Sequence, residues 1–322
     1  MNERILQIFL DRPGQFLSGE ELSRELGCSR TAIWKHIRNL RDRGYEFEAV
    51  SRRGYRMVKT PDRLDVGRLL TCLKTRTLGR SIRLLQQVDS TQNLAHQLVI
   101  EGAEEGTLVL AEQQTAGRGR LGRSWHSPFG KGIWMSLILF PQIPLQFTSQ
   151  LTLLVAVAVC RAIRQNTGVE AGIKWPNDLL VRGRKVCGIL LESSGEDERL
   201  RHVVAGIGIS VNLLPEDFPG ELRGKATSLR IESGRELDRT NLIAIILQQL
   251  EELYDLYHRE GFAPIRLLWE AGSISLGKPI RIQTREGWVQ GVAETIDDFG
   301  ALALRTDDGQ LRKFYSGDVE LA

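Results

Sequence analysis

Between Gln114 and Trp125 the sequence reads QTAGRGRLGRSW, interleaving three glycines (Gly117, Gly119, Gly122) with three arginines (Arg118, Arg120, Arg123). Glycine frees the backbone to lie against a ligand, and each guanidinium offers a fork of donors that matches carboxylate or phosphate oxygens. Such a loop is suited to closing over an anion. A further cation stands in the run Ile173-Lys174-Trp175-Pro176-Asn177-Asp178, where Lys174 ends a strand-like stretch at a proline break. A strand lysine is commonly an edge gatekeeper. Here apolar strand-like runs on both sides favour an interior, functional ammonium. Asp89-Ser90-Thr91 precedes the helical spacing of Leu94, Ala95, Leu98 and Val99, so Ser90 reads as a helix N-cap. Its hydroxyl and that of Thr91 can face a ligand held at the same helix end. Gly188 lies on one strand, and Gly206, Gly208 and Ser210 lie on the next, before Asn212. Small residues there admit a flat ligand to a sheet, although glycine in a strand also marks bulges.

Two decoys are set aside. The loop satisfies G-x-G-x-x-G, but a dinucleotide fold needs a helix to begin directly after it. Instead Ser127-Pro128-Phe129-Gly130-Lys131-Gly132 leads into a strand-like run, Ile133 to Phe140. Asp298-Phe299-Gly300 copies a kinase signature without a catalytic-loop partner, and reads as a hairpin turn.

These motifs need elements to carry them. Residues 1 to 17 show helical spacing broken at Pro13-Gly14; Ser18 caps a second helix stopped by Gly27; Ser29 caps a third, with Ile33, Trp34, Ile37 and Leu40 as its apolar face. After Gly44, the strand-like runs Tyr45–Val50 and Gly54–Val58 are joined by Ser51-Arg52-Arg53. Helix, turn, helix, then a basic hairpin is a winged helix-turn-helix. Residues 29 to 59 hold nine Lys or Arg against three Asp or Glu, which suggests a polyanion partner. Arg30, Thr31, Lys35 and Arg38 on the third helix would read bases, and Arg52 and Arg53 would hold phosphates. Thr60-Pro61-Asp62 reads as a linker, and Leu64 to Leu73 as a helix leading into the next domain. Thr148–Thr167 is a long helix with a buried face, Arg182-Gly183-Arg184-Lys185 a turn, and residues 241–260 a strongly periodic helix. From Gly277 onward short strands alternate with turns, the pattern of a small SH3-like β-barrel.

At 322 residues, 42% hydrophobic and 26% charged, the chain is long enough for two or three domains. It has no apolar run of spanning length and no basic-then-apolar leader, which predicts a cytoplasmic protein with no membrane partner. Four cysteines without a C-x-x-C pair read as reduced thiols, and the five histidines have no metal-ligand spacing, so no protein metal site is expected.

The Asp89-Ser90-Thr91 start, the Gly117–Arg120 loop with Trp125 and Ser127-Pro128, Lys174-Trp175-Pro176-Asn177-Asp178 and Gly188-Ile189-Leu190 together resemble the biotin protein ligases. With a winged helix in front and a small barrel behind, the whole chain is similar to the bifunctional bacterial biotin ligases that also repress biotin operons. The resemblance implies a multidomain α+β protein: a DNA-binding domain at 1–62, a mixed-sheet α/β ligase domain at 63–273 and an SH3-like domain at 274–322. It implies that biotin is activated with ATP and Mg2+ to biotinyl-5'-AMP and passed to a lysine of a biotin carboxyl carrier domain. By position, Ser90, Thr91, Gln92, Gln114, Arg118, Gly119, Arg120, Lys174 and Gly188 would contact biotin. Lys174, with Arg118 and Arg120, would hold the mixed anhydride, and Asp178 would assist the metal or the incoming amine. Trp125, Gly206, Gly208 and Asn212 would form the nucleotide end. Two positions depart from the family pattern: Gln92 and Ser210 stand where relatives often have Asn. The resemblance further implies a ligand-promoted homodimer that binds operator DNA. Two other readings stay open on the residues alone, a repressor that senses the adenylate without turning it over, and a lipoate-type ligase.

Overall fold

A computed structural model describes residues 1–42, 45–59, 63–196, 198–284 and 287–321. The expected break at Gly44 and linker at Thr60–Asp62 lie outside the described residues. The chain divides into two compact units, Met1–Cys72 and Leu73–Ala322.

In the first unit α1 (Asn2–Asp11), α2 (Gly19–Leu26) and α3 (Arg30–Asp42) precede a hairpin of β1 (Glu46–Val50) and β2 (Gly54–Lys59), and α4 (Val66–Cys72) lies against α1. The caps form as their chemistry requires: Ser18 Oγ accepts from Glu21 N at 3.0 Å, and Gly27 takes the left-handed conformation that stops α2. Ile5, Phe9, Leu22, Ile33, Ile37, Leu40, Tyr45 and Phe47 form the core. Each such apolar side chain contributes roughly 1.5–3 kcal/mol on burial. One expected core residue is not there. Trp34 is 49% exposed, because the buried stripe of α3 runs through Ile33, Ile37 and Leu40 and Trp34 falls just outside it.

The second unit is built on a seven-stranded mixed sheet. In chain order its elements are β3 (Ile82–Leu85), α5 (Thr91–Ile100), β4 (Leu108–Ala111), β5 (Gly132–Leu139), α6 (Thr148–Thr167), β6 (Gly172–Lys174), β7 (Asp178–Val181), β8 (Arg184–Glu196), β9 (Arg199–Ser210), α7 (Leu229–Ser233), α8 (Arg239–Glu260) and α9 (Ala263–Gly272). The strand order is β3-β4-β5-β9-β8-β7-β6, and β3–β4 is a parallel pair while the other pairings are antiparallel. Helix α6 is long and apolar enough to cross a membrane, contrary to the expectation of no such run. It is instead a core helix, packed between the sheet, α8 and α9 with its residues buried almost all round. Five antiparallel strands follow, β10 (Pro279–Thr284), β11 (Gly287–Ile296), β12 (Leu302–Thr306), β13 (Leu311–Phe314) and β14 (Asp318–Leu321), in the order β13-β12-β11-β10-β14. This is the small C-terminal β-domain expected from the turn spacing. Asp298-Phe299-Gly300 is its β11–β12 turn, with Gly300 at φ 78°.

The strand bearing Lys174 is not interior. β6 is the last strand of the sheet, covered on its outer side by Ile173 pairing with Ser273.

Candidate active site and nucleic-acid interface

The N-terminus of α5 supplies a closed hydrogen-bonded cradle. Ser90 caps the helix by accepting from Gln92 N at 3.3 Å. The Thr91 amide donates to Gln114 Oε1 at 2.9 Å, and the Thr91 hydroxyl lies 3.1 Å from the same oxygen and 2.9 Å from Ser136 Oγ on β5. Ser136 spends its proton on Gln92 Oε1 at 2.9 Å, so the single Thr91 proton can serve Ser136 or Gln114 but not both. Gln92 Nε2 donates to Val204 O at 3.0 Å, and Gln114 Nε2 to Ser127 Oγ at 2.9 Å. These hydrogen bonds fix the cradle groups against one another.

The glycine–arginine loop leaves β4 and returns to β5. Trp125 N donates to Gly117 O at 2.8 Å and Gly119 N to Arg123 O at 2.7 Å, which folds the loop on itself. At Gly117 a Cβ would fall 2.7 Å from Trp125 O and 2.8 Å from Gln114 Nε2, so glycine is required for this close approach. The three arginines tie the loop to three separate elements. Arg118 Nη2 donates to Glu192 on β8 at 3.4 Å, Arg120 Nη1 to Asn177 Oδ1 at 3.1 Å, and Arg123 Nη1 to Asp318 on β14 at 3.2 Å. Burial pulls the Arg120 guanidinium below its ordinary range.

The floor is a patch of backbone. Gly188 on β8 pairs with Gly208 on β9, and Leu190 with Gly206. The Trp125 ring lies on this patch: a Cβ at Gly208 would be 2.4 Å from Trp125 Nε1, and one at Gly188 2.9 Å from Cζ3. Trp125 Nε1, packed against Gly208, is buried and has no hydrogen-bond partner among the described residues. Lys185 Nζ sits 5.3 Å from the Trp125 ring centroid and 2.7 Å from Asp178 Oδ1.

Together these residues bound a cavity of about 250 Å³, with Phe218, Leu222 and Ala226 walling its apolar far end. Ser90, Thr91, Gln92, Gln114, Arg118, Gly119, Arg120, Trp125, Asp178, Gly188, Gly206 and Gly208 all line it. Two expected residues are not among the lining residues. Lys174 Nζ turns to the C-terminal domain, donating to Val319 O at 3.1 Å with Asp178 3.7 Å away. Asn212 spends its amide on Leu237, donating to its carbonyl at 2.9 Å and accepting from its N–H at 3.0 Å. Lys185 was not foreseen, since the run Arg182–Lys185 reads as a turn. The available signal was its place three residues before Gly188 at the start of the next strand. The apolar wall after Asn212 likewise carried no periodic pattern.

In the first unit Arg30, Thr31, Lys35 and Arg38 are all exposed along α3. Exposed Trp34 lies between them, with the Arg38 guanidinium 5.7 Å from its ring centroid. Arg52 and Arg53 occupy the exposed β1–β2 turn, Arg52 at φ 66° and Arg53 stacked on Phe16 at 4.2 Å.

Comparison with known proteins agrees with this division. Residues 2–56 match a helix-turn-helix domain family, residues 84–210 the Biotin/lipoate A/B protein ligase family, and residues 275–322 the Biotin protein ligase C terminal domain. The Bifunctional ligase/repressor BirA of Bacillus subtilis is 48% identical over 321 residues, 100% of this chain and 98% of its own. That of Escherichia coli is 32% identical, covering 96% of this chain and 94% of its own. Biotin protein ligase from Aquifex aeolicus, solved in complex with biotin and ATP, superposes with a TM-score of 0.65 at 28% identity, covering 76% of this chain and 100% of that one. With cradle, arginine loop and winged helix on one chain and full-length identity of this order, the chain belongs to the bifunctional biotin ligase/repressor family.

Proposed function

We propose that this chain activates biotin with ATP to biotinyl-5'-AMP, passes biotin to a lysine of a carrier protein, and represses transcription when the adenylate is bound. The observation that carries the ligase reading is a single cavity with two unlike ends. One is a neutral, prearranged cradle of hydroxyls and amides; the other sets Lys185 against Asp178 with Arg120 nearby, while Arg118 lines the wall beside Glu192. The cradle of Ser90, Thr91 and Gln114 suits the donor and acceptor groups of biotin's ureido ring. A dithiolane offers no N–H to such a cradle, which favours biotin over lipoate.

No protein nucleophile is needed. A biotin carboxylate oxygen attacks the α-phosphorus of ATP and pyrophosphate departs; the carrier amine later attacks the acyl carbon and AMP departs. The protein's work is to bring two anions together and stabilise the charge gathering at phosphorus. Lys185 is placed for this, with Asp178 orienting its ammonium. Arg118 and Arg120 exchange their protein partners for ligand oxygens as the loop closes. Trp125 Nε1 offers one further donor over the glycine floor. In this assignment Lys174 supports Asp178 from behind, and Asn212 shapes the nucleotide end by holding Leu237 rather than touching adenine.

Among the described residues no group of three or more His, Cys, Asp or Glu is placed to hold a metal ion. Asp178, facing two ammonium groups, does not fit a primary Mg2+ ligand. Mg2+ supplied with ATP would contribute charge neutralisation to the phosphates, and the residues here would not hold it.

The exposed basic α3 and wing support operator binding, and a two-fold operator calls for a homodimer promoted by the adenylate. We assign DNA binding to 1–62, ligation to 63–273 and a supporting role to 274–322, and place the protein in the cytoplasm. Biotin-dependent exchange of pyrophosphate into ATP tests the catalytic reading. Exchange with lipoate alone would overturn the substrate, and adenylate-dependent DNA binding without any exchange would leave a sensor-repressor.

A further inference from the structure

Beside the main cavity lies a second, of about 120 Å³. The two share Arg120, Asn177 and Ile189; Ser149 and Thr152 of α6, Leu191 and Tyr315 are among the other lining residues of the second. The sheet explains the arrangement. β7 pairs with β8 only as far as Gly188, after which Asn177 takes over: Ile189 N donates to Asn177 O at 3.0 Å, and Asn177 Nδ2 donates to Ile189 O at 2.7 Å. Beyond Ile189 no strand pairs with that side of β8 among the described residues. Strand alternation turns Gly188 and Leu190 to the main cavity and Ile189 and Leu191 to the second. The second cavity thus lies behind the sheet and meets the first around this open stretch of β8. The Arg120–Asn177 hydrogen bond, 3.1 Å long, stands at the junction.

We infer that the second cavity is the passage by which the acceptor lysine reaches the acyl phosphate, an inference that rests on the ligase reading above. Once the adenylate fills the main cavity under the closed loop, the amine needs its own way in. The space is about half that of the main cavity, with room for an unbranched alkylamine. Its polar side chains are the hydroxyls of Ser149, Thr152 and Tyr315, the Asn177 amide, the Arg120 guanidinium and the Trp175 indole N–H, which is spent on Gly300 O, and no carboxylate lines it to retain an ammonium ion. The nearby positive charge of Arg120 disfavours the protonated amine, so the lysine enters as the neutral nucleophile after giving a proton to water. Its nitrogen lone pair then forms the C–N bond at the acyl carbon. The C–O bond to AMP breaks, AMP leaves with that electron pair, and the second amine proton passes to water.

Filling the passage tests this. In the full chain, Ser149→Leu and Thr152→Leu, made separately, narrow the second cavity without touching the first. Three rates are compared: biotin-dependent pyrophosphate exchange, release of biotin hydroxamate with hydroxylamine as a small nucleophile, and transfer to an intact biotin carboxyl carrier domain. Exchange and hydroxylamine trapping stay within about twofold of the parent while carrier transfer falls about tenfold or more, and Ser149→Ala and Thr152→Val leave all three intact. Carrier transfer unchanged in both leucine variants would overturn the passage. So would equal loss of all three activities in variants with native circular dichroism. Absence of exchange in the parent would fail the ligase reading instead.

Discussion

Lys185→Ala and Lys174→Ala should behave very differently, although both lysines lie within 4 Å of Asp178. Lys185 Nζ is 2.7 Å from Asp178 Oδ1, with side chains 35% and 15% exposed. An ion pair at that separation has a Coulomb attraction of about 6 kcal/mol at an effective dielectric of about 20, most of it offset by desolvation and solvent screening. Loss of the pair should therefore cost only about 1–2 kcal/mol of stability. The catalytic cost is larger. An oriented donor that meets charge developing at phosphorus is worth about 3–4 kcal/mol, or about 10²–10³ in adenylation rate. Lys174 donates to Val319 O at 3.1 Å and is not among the cavity-lining residues. Its removal should cost about 1 kcal/mol of stability and less than about fivefold in adenylation. Pyrophosphate exchange at saturating biotin and ATP, beside thermal melts of both variants, gives the comparison. Near-parent exchange by Lys185→Ala, or equal losses in the two variants, would refute the assignment of the phosphate-facing ammonium to Lys185.

Other outcomes follow from the same geometry. Arg120→Gly removes the Arg120–Asn177 tie and adds a glycine to an already permissive loop, so the reactive anhydride should escape and label bystander lysines; mass mapping of a mixed-protein reaction measures it, and parent-like selectivity would remove Arg120 from loop closure. Arg52→Ala with Arg53→Ala should weaken operator binding and lower its salt slope by about two, leaving exchange intact. For pH, burial and neighbouring His96 hold His202 below the usual imidazole range. The folded chain then binds fewer protons than the unfolded one, so stability should decline as pH falls below about 6.5, the ordinary imidazole value. His202→Gln should flatten the fall in Tm between about pH 7 and about pH 5.5, and an unchanged slope would assign that fall to other groups.

Much of this was written locally in the chain. Ser18 and Ser90 cap helices because hydroxyls ahead of apolar-periodic runs do so, and the glycine–arginine loop announced itself by residue type. What could not be read depends on partners far along the chain. Lys185 looks like a turn residue until β7 and β8 pair and bring it over Asp178. Lys174 looks interior until the strand order puts β6 at the edge and β14 supplies the Val319 carbonyl. Trp34 fits an apolar stripe on paper, since a one-residue offset along a helix decides burial. The buried Arg239–Glu112 pair, 2.7 Å long at the base of the loop, joins residues 127 apart that no local pattern connects. Gln92 shows the converse: its long side chain reaches both Val204 O and Ser136, and the cradle closes around it.

Mass analysis of a biotin carboxyl carrier domain after incubation with the purified chain, biotin, ATP and Mg2+ tests the central claim most directly. A gain of one biotin on a single lysine, dependent on ATP, is the expected result. Biotin bound tightly in the presence of ATP with no mass gain on the carrier, or no biotin binding at all, would contradict it.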